Sequence, residues 1–121
     1  MHPRRSYLTG TWQGKIGEDA YHYNANFTMT IIQKKGGLVI KYFHAPVEGQ
    51  SYSGEIKGKI SQKELSAAGN VLHKYLNVFY WTRTKKKIVI KGKLSDDWNR
   101  IEGTHQIEDF GVRNWWAGRK K

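Results

Sequence analysis

The residues with the chemistry to define a site are five histidines, the adjacent acidic pairs Asp96-Asp97 and Glu108-Asp109, and several arginines that lie near tryptophans. His2, His22, His44, His73 and His105 fall in separate segments, and none belongs to an H-E-x-x-H or comparable metal-ligand spacing. That pattern speaks against metal catalysis and predicts neither a metal nor a cofactor. Asp96-Asp97 and Glu108-Asp109 stand among turn-forming residues, where solvated carboxylates are more natural than an acid–base pair. No G-x-S-x-G, P-loop or dinucleotide fingerprint occurs, so the chain reads as non-enzymatic.

Arg83, Arg100 and Arg113 fall at strand ends, near the mouths a barrel would have, with Trp81, Trp98 and Trp115 close by in sequence. A guanidinium fork matches phosphate oxygens and an indole stacks on a planar base, so these residues could clamp a nucleotide. Surface arginines resting on rim aromatics are the alternative. His105 shares an apolar face with Ile101 and Gly103, which makes it either a hydrogen-bonded core histidine or a group reading a ligand in a lumen. Asn77, between Tyr75 and Phe79 at period two, has the same two readings, and either face of its segment could point inward.

The formal charge of +11 and a pI near 9.9 suit an anionic partner. The expected function is a binding module for a small anionic ligand such as a nucleotide or cyclic nucleotide second messenger. The alternative is a basic barrel that binds single-stranded nucleic acid or RNA through its outer surface. A third class is a filled barrel that serves as an oligomeric scaffold.

Positioning such groups requires a framework, and the 121 residues are enough for one domain spanning 1–121, with 1–6 and 120–121 as frayed ends. Five Trp, seven Tyr and four Phe can furnish its core. No run approaches the roughly 18 apolar residues of a membrane helix, and no signal-type segment is visible. Together with the absence of cysteine, this sets a cytoplasmic expectation. Period-two alternation dominates: Leu8, Gly10, Trp12, Gly14 and Ile16 oppose Thr9, Thr11, Gln13 and Lys15. Alternation returns at 27–31, 38–42, 52–60, 88–94 and 101–107, and a last strand ends at Arg119. Residues 64–72 read as a strand in preference to a short helix, because Gly69-Asn70 would end a helix at once. A second hairpin is predicted from 75–82 to 88–94, with Lys85, Lys86 and Lys87 as its turn. Glycines on the inward faces, among them Gly14 and Gly103, permit the coiling a small barrel needs. The fold class is therefore all-β, an antiparallel up-and-down meander barrel of about eight to ten strands.

The segment Leu8-Thr9-Gly10-Thr11-Trp12-Gln13-Gly14, with G-x-W-x-G on the first strand, and Trp116-Ala117-Gly118-Arg119 on the last resemble lipocalin-like (calycin) barrels. The resemblance covers nearly the whole chain and implies that Trp12 packs against Arg119 where the barrel closes. It does not carry over that family's ligands, because the chain is smaller and lacks the signal peptide and cysteines. Trp12-Gln13-Gly14 and Gln33 also resemble, more loosely, the cyclic-nucleotide-sensing barrels of bacterial antiphage effectors. In those effectors the barrel follows two membrane helices, so this resemblance implies a soluble piece or a stand-alone relative.

Overall fold

The computed structural model describes residues 8–17, 23–45, 49–76, 79–108 and 111–120, with the side chains of 23–25 outside the description. The alternating segments form eight strands: β1 (Gly10–Gly17), β2 (Tyr23–Lys34), β3 (Gly37–Ala45), β4 (Gln50–Ser61), β5 (Glu64–Leu76), β6 (Trp81–Leu94), β7 (Arg100–Ile107) and β8 (Gly111–Arg119). Each pairs antiparallel with the next, and β1 pairs with β8 to close the barrel. The expected meander is thus the architecture, with eight strands.

Alternation sends one face of every strand inward. Trp12, Met29, Ile31, Ile40, Ile56, Ile90 and Ala117 are buried in the resulting core. A barrel this small closes only if some strands coil tightly against their neighbours. A Cβ on Gly14 would overlap the Trp116 carbonyl, and one on Gly103 would overlap the Lys91 carbonyl, so both positions require glycine.

At one end the barrel is sealed. Trp12 and Arg119 are register partners, and the Arg119 guanidinium lies 4.3 Å from the indole centroid. Such a contact contributes about 0.5–2 kcal/mol. The Trp12 Nε1–H donates to the Leu8 carbonyl at 2.9 Å, and Arg119 Nη2 donates to the Trp98 carbonyl at 3.0 Å. Gln33 belongs to this end too. Its Oε1 accepts from the Leu8 amide at 3.1 Å, and its own amide donates to Thr9 Oγ1 at 2.9 Å. Gln33 therefore anchors the approach to β1 from within β2.

One hairpin differs from the sequence expectation. Residues 64–76 form the single strand β5, and the turn falls between Leu76 and Trp81. Lys85, Lys86 and Lys87 are not a turn but lie within β6. A lysine run is compatible with a strand here because Lys85 and Lys87 point to solvent, while Lys86 takes the inward position toward the end opposite Trp12, where neighbours are polar. Asn77 lies outside the described residues.

Candidate functional site

The end opposite Trp12 has a different interior. Following the inward positions upward, the aliphatic core gives way to Tyr42 and His44 on β3, Tyr52 on β4, His73 and Tyr75 on β5, Lys86 on β6, His105 on β7 and Arg113 on β8. Register explains the grouping, since directly paired residues on one face touch. Phe27 pairs with His44, His44 with Tyr52 and Tyr52 with His73, which makes one row around the wall. His105 pairs with Arg113 across β7 and β8.

The row is a stack of rings. Tyr52 lies 4.2 Å from His73 with planes 9° apart, and 5.5 Å from His44 at 20°. His73 continues to Tyr75 at 4.9 Å toward the end of β5. Deeper, His44 meets His105 edge-on at 5.9 Å and Tyr42 at 6.1 Å. Phe27 bridges to Trp115 in a T-shaped contact at 5.4 Å.

These polar rings are deep. His44 is 5% exposed and His105 2%. Both ring nitrogens of His44 and of His105, the Tyr42 hydroxyl and the Trp115 Nε1 are buried with no hydrogen-bond partner among the described residues. Native interiors satisfy nearly all such groups, and an unpaired one costs about 1–3 kcal/mol.

Electrostatics fixes the charge state of the site. Burial, with the neighbouring His105 and the Arg113 guanidinium, lowers His44 to about 3. Burial, against the pull of its own backbone and with a smaller push from Arg113, lowers His105 to about 4. Burial and the nearby Lys86 lower His73 as well. Tyr52 is pushed up to about 12 by burial, against the pull of Arg113, and burial raises Tyr42 well above the usual phenol range. At neutral pH the histidines are therefore neutral, each offering one N–H and one acceptor, and the phenols are protonated. Among the described residues the inward-facing cationic side chains at this end are Arg113 and Lys86. Among the described residues no three His, Cys, Asp or Glu side chains come together in a way that could hold a metal ion.

The arginines and tryptophans expected at the mouths separate. Arg113 is at the end opposite Trp12, on the inward face. Arg83 is at the same end but exposed on the outer face of β6. Arg100 stands at the sealed end instead, 4.5 Å over the outward Trp116 ring and ion-paired with Glu102 at 2.6 Å. Trp98 is also at the sealed end. Trp81 is on the outer rim, with Lys74 Nζ 4.9 Å from its centroid, whereas Trp115 is inside. His105 points inward and is buried, and neither ring nitrogen has a hydrogen-bond partner among the described residues.

Sequence reasoning passed over His44, Tyr52, His73 and Lys86. His44 had a signal, as the next inward position after Leu38, Ile40 and Tyr42. Tyr52 and His73 meet only through the β4–β5 register, which the sequence does not display. Comparisons with protein-family models, with curated proteins and with solved structures find no match.

Proposed function

We propose that the barrel is a binding module for a small, planar, anionic ligand of the nucleotide or cyclic-nucleotide kind, held at its open end. The carrying observation is the set of buried, unpartnered nitrogens on His44 and His105, with the Tyr42 hydroxyl, below an inward arginine. A ligand with hydrogen-bonding edges satisfies these groups, while aqueous anions would have little use for two neutral imidazoles. The guanidinium of Arg113 supports a phosphate contact, Lys86 adds positive charge, and the ring stack offers a flat apolar wall. The resemblance to calycins, and to cyclic-nucleotide-sensing barrels, agrees with this reading and would place the module in an antiphage sensor.

Calorimetric titration of the chain with a panel of mono-, di- and cyclic nucleotides tests it. A charge-assisted pair contributes about 1.5–3 kcal/mol, so Arg113→Ala should weaken binding roughly 10- to 100-fold. Arg100→Ala, at the other end, should leave it within about twofold. A panel without a binder, or equal losses in the two variants, would refute the reading.

A further inference from the structure

The longest hairpin carries an apolar tip on a cationic stem. Between β5 and β6, Phe79 is 91% exposed, Tyr80 62%, Leu76 56% and Trp81 50%. Leu76 and Trp81 are register partners at the first rung. Below them Lys74 faces Arg83, then Leu72 faces Lys85, then Asn70 faces Lys87, all on the outer side; Lys74 is half-buried with its ammonium over the Trp81 ring, and the other five are exposed. No carboxylate occupies an outward position on these rungs. At the far end of the run Glu108 Oε1 accepts from the Lys87 amide at 3.1 Å.

Exposing four large apolar side chains together at a hairpin apex is costly in water unless something covers them. The partner must be apolar where the tip enters and anionic where Lys74, Arg83 and Lys85 follow, and these three outward rungs span only about 13 Å along the strands. An acidic lipid surface has that layering, with acyl chains beneath charged headgroups and aromatic residues favoured at the boundary. A nucleic-acid strand presents phosphates and bases side by side and would favour aromatics spaced among the cations. Here the aromatics are confined to the apex. We infer that the β5–β6 tip docks on an anionic membrane surface, with Phe79 and Tyr80 entering the interface and Lys74, Arg83 and Lys85 meeting headgroups. The inference does not depend on what the lumen binds.

Co-sedimentation of the full chain with vesicles tests it. The chain should bind phosphatidylcholine vesicles containing about 30% phosphatidylserine and leave pure phosphatidylcholine in the supernatant. Burying one phenyl ring in an apolar setting is equivalent to about tenfold or more in affinity. Phe79→Ser with Tyr80→Ser should therefore cost at least about tenfold, and these exposed sites leave folding unaffected. Each cation near the surface is equivalent to about fivefold, so Arg83→Glu with Lys85→Glu should cost at least as much. Lys57→Glu with Lys59→Glu, exposed near the sealed end with the same charge change, should stay within about threefold. Retained binding in the Phe79/Tyr80 variant, or equal loss in both charge variants, would overturn the inference. So would single-stranded oligonucleotide binding that needs Arg83 and Lys85, ignores Phe79 and displaces the vesicles.

Discussion

Acid should unfold this barrel through His44 and His105, well before its carboxylates protonate. Both rings have folded-state values depressed by burial, to about 3 and about 4, from an ordinary 6.5. A depressed histidine value means that the unfolded chain takes up the proton first. The stability linked to these rings is therefore complete above about pH 6.5 and falls as the pH drops toward the folded values. At pH 5.0 the unfolded rings are titrated over about 1.5 units, at about 1.36 kcal/mol per unit, so each ring costs roughly 2 kcal/mol and the pair roughly 4. His73, depressed in the same direction, adds to this. Urea denaturation at pH 7.5 and 5.0 reads the effect directly. With a slope of about 2 kcal/mol per molar, the midpoint should fall by about 2 M. In His105→Gln, which removes one titrating ring, the drop should shrink to about half. A midpoint that does not move between the two pH values, or a full drop in His105→Gln, would refute the charge assignment of the site.

Two further outcomes follow from the sealed end and the closure. Trp12→Ala removes a fully buried indole together with its Arg119 and Leu8 contacts, and should cost about 3–5 kcal/mol by denaturant unfolding. Gly14→Ala drives a methyl group into the Trp116 carbonyl, which moves only if β1 and β8 part, so a loss of about 3 kcal/mol or more is expected from thermal unfolding.

Most of the framework was readable because period two is a local property. Leu8 to Ile16 alternate without any knowledge of the partner strand, and Trp12 with Arg119 was recognisable through the calycin resemblance, which the register supports as a pairing. The β5–β6 turn was misplaced because Lys85, Lys86 and Lys87 look like turn residues, and because Phe79, Tyr80 and Trp81 look like a core strand. Their exposure reverses that reading. The site was less legible. An arginine near a strand end faces in, as Arg113 does, or out, as Arg83 does, and only the strand phase decides. The stack from His73 through Tyr52 to His44 joins residues from three strands, and its existence depends on registers set by turns far from the rings.

The central claim, that the neutral imidazoles deep in the open end read a ligand, is tested most directly by NMR of the histidine ring nitrogens. With the tightest-binding nucleotide of the panel added, His44 and His105 should each show one protonated and one unprotonated nitrogen at pH 7. Their signals should shift together and saturate at the calorimetric Kd. Unchanged His44 and His105 signals while the nucleotide binds, with shifts confined to the outer faces of β5 and β6, would contradict the account.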